Sequence, residues 1–182
     1  MRQTIVIGSG TVATDLSTSN GEHSQPQDIL VAFNTLYKNK SHLVIGYGNA
    51  PFAPTNITIV NNIIVGDSGT LVDVVEGVDL KWKNNILWGA ASVGDMPASG
   101  FTRQDPMLLL DSSTGIYKLT ASSPAIDMVG SIDMFGVDTD IDGRTRTVLA
   151  DIGSQEYRAL VPTTTAVSGA ALTPDKLGYL AL

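Results

Sequence analysis

The sequence predicts an all-β protein, namely a right-handed single-stranded parallel β-helix with an irregular C-terminal capping region. The first observation is an internal repeat whose three copies align on Asn34, Asn62 and Asn85. Its spacings are 28 and 23 residues, about the length of chain that runs once around a solenoid. The second is period-two alternation within each copy, which is typical of a strand. The third is the scarcity of apolar residues at three-four spacing, which argues against helices.

Aliphatic or aromatic residues coincide when the three copies are superimposed on the asparagine. The matched positions lie five before, three before and two after it: Ile29, Ile57 and Leu80; Val31, Ile59 and Trp82; Leu36, Ile64 and Leu87. Side chains that face inward at the same place in every coil stack into one continuous core. The repeated asparagine predicts a hydrogen-bonded ladder at one corner, because an amide both donates and accepts.

A second strand of each coil is indicated by residues 42–45 and 70–73. These segments stand at the same offset from Asn34 and Asn62. We therefore divide the chain into coils over residues 1–89, a final coil and cap over 90–160, and a tail over 161–182. We expect the cap to fold back over the last coil, because an open rung exposes unpaired strand edges.

Composition limits the classes of partner. The chain has 182 residues, of which 43% are hydrophobic and 16% charged, and its net charge is −7 at pH 7. That charge argues against nucleic acid, whose phosphates it would repel. No apolar run approaches the length of a membrane span. The absence of cysteine excludes disulfides and a zinc-thiolate site.

A succession of short motifs runs through most of the chain. They occupy residues 54–64, 83–89, 100–101, 105–106, 115–119, 122–127, 140–144, 151–156 and 172–174. In this order they resemble the C-terminal portion of polysaccharide lyase family six, which contains alginate lyases and the dermatan-cleaving chondroitinase B. One departure is Ser154-Gln155, where the family usually has Ala-Asp.

The resemblance implies part of a lyase that cleaves a uronate polysaccharide, expected to be alginate, by β-elimination. The hexuronate carboxylate is neutralised, a base removes the C5 proton, and an acid protonates the leaving 4-oxygen. Family members do this with a calcium ion, a lysine base and an arginine acid on coils upstream of the matched portion. Those elements are absent from this sequence, so we assign no catalytic residue and expect the calcium site outside this chain. A secreted or periplasmic location is likewise implied.

Four residues are candidates for contacting a polysaccharide: Arg2, His23, His42 and Tyr47. The first three lie nearest to the coils that the resemblance places upstream, and Tyr47 offers a ring for stacking on a sugar. A solvated loop is the alternative for the charged and imidazole side chains. Trp88 is a further candidate for stacking, with a core or capping role as its alternative.

A possible metal loop begins at Asp138. Asp138, Asp140 and Asp142 stand at positions one, three and five of an EF-hand-like pattern, with glycine at position six. Position twelve is Leu149 rather than a bidentate glutamate, so a complete EF-hand is excluded. Two interpretations remain: a partial calcium loop, or a turn in which the aspartates pair with neighbouring arginines.

Two functions from different classes follow. In the first, the chain is the C-terminal β-helix portion of the lyase, without the catalytic coils, and it completes the helix and one end of the substrate groove. In the second, it is a stand-alone, non-catalytic β-helix that binds a glycan or assembles with another chain. An uncovered strand edge at Ile5–Ile7 would favour the first, since a stand-alone domain should cover it.

Overall fold

The computed structural model describes residues 4–8, 25–46 and 52–159, and these residues form strands joined by turns. The first ten strands are β1 Ile5–Ile7, β2 Gln27–Ala32, β3 Thr35–Tyr37, β4 Leu43–Ile45, β5 Thr55–Val60, β6 Ile63–Val65, β7 Thr70–Val74, β8 Val78–Lys83, β9 Asn85–Trp88 and β10 Ser92–Gly94. The others are β11 Phe101–Arg103, β12 Leu108–Asp111, β13 Ile116–Leu119, β14 Val129–Gly130 and β15 Leu149–Ala150. Two short 3-10 helices occupy Ala98–Gly100 and Ser131–Asp133. No helix within the described ranges has the length and apolar character needed to cross a membrane.

Three parallel sheets make up the first part of the molecule. Sheet 1 has the order β1-β4-β7-β10, sheet 2 the order β2-β5-β8, and sheet 3 the order β3-β6-β9-β11. The chain visits sheets 2, 3 and 1 in turn, so that β2–β4, β5–β7 and β8–β10 are three successive circuits, together called the stack here. The all-β prediction is confirmed.

The register of the predicted repeat is confirmed residue by residue. The paired positions are Ile29, Ile57 and Leu80, then Val31, Ile59 and Trp82, and then Leu36, Ile64 and Leu87. All nine side chains belong to one apolar core or pack against it. The aliphatic positions identified in the sequence are therefore the inward-facing ones.

Sheet 1 departs by one residue from the alignment of residues 42–45 with 70–73. Leu43 pairs with Val72, not with Leu71, and Ile45 pairs with Val74. One more residue separates β6 from Val72 than separates β3 from Leu43. Leu71 and Val72 are both buried, and this register leaves Asp73 exposed, whereas the predicted alignment would pair Asp73 with the buried Ile45.

The predicted asparagine ladder is present at the corner between sheets 2 and 3. The Oδ1 of Asn62 accepts from the backbone N and from the Nδ2 of Asn34, each at 3.0 Å. The Oδ1 of Asn85 accepts in the same way from Asn62, at 3.1 and 3.0 Å. The residue before each asparagine has a left-handed φ, between 53° and 58°: Phe33, Asn61 and Asn84. The ladder thus satisfies backbone groups that a turned corner would leave unpaired.

Residues 104–159, called the C-terminal segment here, pack against the outer face of sheet 3. The expectation that this part of the chain folds back over the last circuit is wrong for most of its length. A second apolar cluster joins Phe33, Ile63, Val65 and Ile86 of the stack to Leu119, Ala125, Val129, Ala150 and Ile152. The N–H of Gly153 donates to the carbonyl of Asn61 at 2.9 Å, and that of Ser154 donates to the Oγ1 of Thr35 at 3.0 Å. These contacts hold the segment beside the stack. The predicted tail, 161–182, is outside the described residues.

The downstream end of the stack is closed by residues that break the repeat. β11 pairs with β9 so that Phe101 stands at the asparagine position and Arg103 at the inward aliphatic position. The Nη2 of Arg103 donates to the carbonyl of Gly89 at 2.9 Å, and the Nδ2 of Asn85 donates to the carbonyl of Gly100 at 2.9 Å. The exposed charge of Arg103 and the satisfied amide of Asn85 end the stack there.

Candidate functional site

A groove of about 1030 Å³ lies at the upstream end of the stack. We call it the upstream groove. Its lining comes from β1 and the residue before it, from the edge strand β3 and its flanks, from the β12–β13 hairpin, and from two residues of the C-terminal segment: Thr4, Ile5, Asn34, Thr35, Leu36, Tyr37, Asn39, Leu110, Gly115, Ile116, Tyr117, Ile141 and Ser154. The groove therefore combines a strand edge with an apolar wall.

Two stacked tyrosines join the hairpin to β3 beside this groove. The rings of Tyr37 and Tyr117 have centroids 3.7 Å apart and an interplanar angle of 24°. Leu110 and Ile141, which line the groove, are 46% and 55% exposed. A wall that exposes aliphatic side chains is suited to an apolar ligand.

Charged groups fix the hairpin. The Nζ of Lys118 lies 2.9 Å from the Oδ2 of Asp111 and 3.9 Å from that of Asp142. The Ser113 hydroxyl and the Lys118 ammonium lower the pKa of Asp111, and the hydrogen bond to Asp111 raises the pKa of Lys118. Opposite charges that bind each other favour both ionised forms, so the hairpin is braced at neutral pH.

A second cavity, of about 570 Å³, has a cationic lining. We call it the cationic cavity. Its lining includes three cations, Lys118, Arg144 and Arg158, and five further residues: Leu119, Gln155, Glu156, Tyr157 and Ala159. Arg144 pairs with Asp142 at 3.2 Å, and the Nη2 of Arg158 donates to the carbonyl of Thr145 at 3.3 Å. Guanidinium groups suit carboxylate ligands because they offer several donors in one plane.

His42 is not placed to contact a sugar, contrary to the sequence-based expectation. Its side chain is 1% exposed, and its Nε2 lies 3.0 Å from the carbonyl of Val65. It is a packed residue between adjacent circuits. Arg2, His23 and Tyr47, the other three candidates, lie outside the described residues.

The three aspartates of the proposed metal loop do not converge. The Oδ1 of Asp140 accepts from the backbone N–H groups of Asp142 and Arg144, at 3.0 and 2.8 Å. The Oδ2 of Asp142 accepts from Gln155, and Asp138 is exposed. Within the described ranges, no group of three His, Cys, Asp or Glu side chains could hold a metal. The turn is therefore held by hydrogen bonds and the Asp142–Arg144 ion pair, and the alternative prediction describes it better.

A polar row lies on the outer face of sheet 2 and is not among the residues predicted from the sequence. The Nδ2 of Asn56 donates to Asp28, and the Nζ of Lys81 donates to the Oδ1 of Asn56 at 2.7 Å. Asp28, Asn56 and Asp79 all have left-handed φ angles, which Asp and Asn tolerate best among residues with a side chain. The signal was available, because each precedes the first aliphatic position of the repeat.

A buried polar cluster holds together two motifs near the C-terminal end of the described residues. The Nη1 of Arg146 donates to the Oε1 of Glu156 at 2.8 Å, and both side chains are almost fully buried. The Oδ1 of Asp151 accepts from the N–H of Asp127 at 2.8 Å, and burial raises the pKa of Asp151. These carboxylates serve the packing of the segment, since all of them bind partners within it.

The chain matches no protein-family model, no curated protein and no solved structure. Function therefore has to be inferred from the stack, its two cavities and the motifs of the sequence.

Proposed function

We propose that this chain is a right-handed parallel β-helix that forms the C-terminal part of a lyase acting on a uronate polysaccharide, alginate in the first instance, by β-elimination. The chain extends the helix, ends it downstream and supplies one end of the substrate groove. The observation that carries the proposal is the stack itself, whose three parallel sheets and asparagine ladder have the periodicity of a β-helix. The proposed activity is inferred from the motifs that resemble polysaccharide lyase family six.

Catalysis is proposed to lie on other coils. β-Elimination from a uronate needs a neutralised carboxylate, a base and an acid within reach of one sugar. In the cationic cavity Lys118 is paired with Asp111, so it is not poised as a free base, and Arg144 is paired with Asp142. The calcium ion, the lysine base and the arginine acid belong to coils outside this chain in the proposal, and the enzyme would be secreted or periplasmic.

The cationic cavity is the part of this chain proposed to meet the polymer. Lys118 and Arg144 share their charge with Asp111 and Asp142, whereas Arg158 donates to a backbone carbonyl, so the excess positive charge is small. Binding of a uronate carboxylate to a chain of net charge −7 is therefore local and salt-sensitive. Gln155, which lines the cavity, is fixed by the hydrogen bond that its Nε2 donates to the Oδ2 of Asp142 at 2.9 Å. Side chains that are already held in place lose little conformational entropy when a ligand binds.

The test measures binding and chemistry separately. Purified chain is titrated with alginate hexasaccharide by calorimetry, and the absorbance of unsaturated uronate is followed with alginate and dermatan sulfate, with and without calcium. We expect binding that weakens several-fold in the double variant Arg144→Gln/Arg158→Gln, and no unsaturated product. Lys38→Gln, which changes charge away from this cavity, is the control and should bind as the unmodified chain does.

Either of two results would overturn the proposal. Binding of neither polymer by folded chain removes the role in the substrate groove. A calcium-dependent rise in unsaturated product from the chain alone would place the base and acid within these residues.

A second candidate function is favoured by the position of the upstream groove. The groove lies along the outer edge of β3, where one circuit would meet the next, so the chain could also act as a non-catalytic β-helix that assembles with a partner chain. Failure to bind a uronate, together with formation of a stable complex through β3, would favour this function over the first.

A further inference from the structure

We propose that the upstream groove is a strand-addition site, at which the outer edge of β3 takes one further parallel strand with an asparagine at its corner. The donor is a coil of the portion of the lyase that carries the catalytic groups. That choice of donor rests on the proposed function, whereas the specificity of the edge rests on the geometry of β3, the ladder and the hairpin.

The backbone of β3 offers hydrogen-bonding groups to the groove. The carbonyl of Asn34 accepts from Ile63 at 2.8 Å, and the N–H of Lys38 donates to Val65 at 2.7 Å, so both groups point to β6. In a parallel strand successive residues alternate between the two edges. Thr35 and Tyr37 therefore present their N–H and C=O groups to the other edge, and no strand among the described residues pairs with it.

The asparagine ladder specifies what should stand at the corner of the added strand. The Oδ1 of Asn62 accepts two hydrogen bonds from Asn34, and the Oδ1 of Asn85 accepts two from Asn62. No donor within the described ranges reaches the Oδ1 of Asn34, which is the corresponding atom of the first rung. An incoming asparagine would supply both its backbone N–H and its amide to that atom.

The walls of the groove specify an apolar strand. Leu36 faces the core and is already buried, and an aliphatic residue on its upstream side would continue the row that Ile64 forms on the other side. The outward residues of the strand would meet Leu110, Ile116 and Tyr117 of the hairpin. A strand such as β6, with three consecutive aliphatic residues after its asparagine, fits both faces.

A second copy of this chain fits the groove less well. In a head-to-tail arrangement β11 would meet β3, and it brings Phe101 where the ladder needs an asparagine and Arg103 where the core needs an aliphatic residue. In a two-fold arrangement the two β3 strands would run antiparallel, which places Asn34 opposite the far end of its partner strand and breaks the ladder.

The experiment adds one rung to the chain. Ile5 and Val72 both pair with Leu43, so residues 53–67 placed directly before Met1 keep the spacing of the repeat and supply copies of β5 and β6. We expect the thermal midpoint to rise by about 5 °C. We also expect the added residues to resist proteolysis at concentrations that digest a scrambled version of the same fifteen residues.

A matched variant tests the ladder. Replacing the added copy of Asn62 by alanine should remove most of the gain in midpoint while leaving the native ladder untouched. An unchanged midpoint with the intact addition, together with digestion as fast as that of the scrambled version, would overturn the proposal. So would a dimer of the unmodified chain in light scattering that the added rung abolishes, because a second copy would then occupy the edge.

Neither readout involves a polysaccharide. If the added rung is rejected while alginate still binds, strand addition fails and the proposed function stands. If the rung docks and no uronate binds, the reverse holds.

Discussion

The two ends of the stack differ in how they treat the same strand positions. Downstream, Asn85 donates to Gly100, Arg103 occupies an inward position, and the N–H of Val74 donates to the Oδ2 of Asp95 at 2.8 Å. Upstream, the same positions are held by Asn34 and Leu36, although β3 and β11 are both edge strands of sheet 3. One end is built to stop the addition of strands, and the other retains the pattern that accepts one.

The lesson is that a repeat ends by changing a few side chains and not by changing its backbone. β11 still pairs in register with β9, although Phe101 and Arg103 replace the asparagine and the leucine. The difference between the two ends can therefore be tested with single substitutions.

The largest effect should come from Asn62→Ala, at the middle of the ladder. Asn62 bonds to Asn34, Asn85 and the carbonyls of Val31 and Val60, and it is 1% exposed. Its loss leaves several buried groups unpaired, so we expect the free energy of unfolding to fall by about 3 kcal/mol or more. Asn34→Ala, at the upstream end, should cost about 1 kcal/mol. Urea denaturation followed by circular dichroism compares them, and equal losses would mean that the ladder does not distinguish its middle from its end.

We expect Arg103→Leu to change stability less than Asn62→Ala does, and to change the association of the chain. The substitution restores an aliphatic residue at the inward position of β11 and removes the charge that opposes a further rung. We expect concentration-dependent self-association by size exclusion with light scattering. Arg158→Leu makes the same change of charge at an exposed site away from the stack and should not associate. A strictly monomeric Arg103→Leu variant would show that other features close the downstream end.

The smallest effect should come from Asp111→Asn, in the hairpin that walls the upstream groove. The Ser113 hydroxyl and Lys118 lower the pKa of Asp111 below its ordinary value of 3.8, so its ionised form is favoured by folding. A lowered carboxyl pKa stabilises the fold above the ordinary value, and this contribution is lost as the pH falls through the folded pKa. The variant should melt slightly earlier at pH 7, with a gap that closes below about pH 4. A gap that is the same at pH 7 and at pH 3 would exclude this ion pair as its cause.

Much of the stack could be predicted because its determinants repeat. The asparagines and the inward aliphatic residues recur at fixed offsets. Residues at equal offsets pair with one another in sheets 2 and 3. The register of sheet 1 could not be read in this way, since the connection before it has a variable length. A fixed offset would pair Asp73 with the buried Ile45, whereas the observed register leaves Asp73 exposed.

The location of the C-terminal segment was harder to predict, although one signal existed. Ile63 and Ile86 alternate with the inward Ile64 and Leu87, so they had to face outward, and outward aliphatic residues need a cover. The prediction that His42 contacts a sugar was wrong for a different reason. His42 was judged by its place in the sequence, whereas its burial depends on contacts with the next circuit, and the groove is formed by residues more than a hundred positions apart.

The connections from sheet 1 back to sheet 2 have unequal lengths, nine residues between β4 and β5 but three between β7 and β8. Pairing on both sides of that corner is nevertheless preserved. Insertions and deletions at this corner therefore leave the strand pairing unchanged. The chain re-enters sheet 2 in the same register whatever the length of the connection. It is the natural place to graft a foreign loop, or for descendants of this sequence to diverge, without disturbing the rungs on either side.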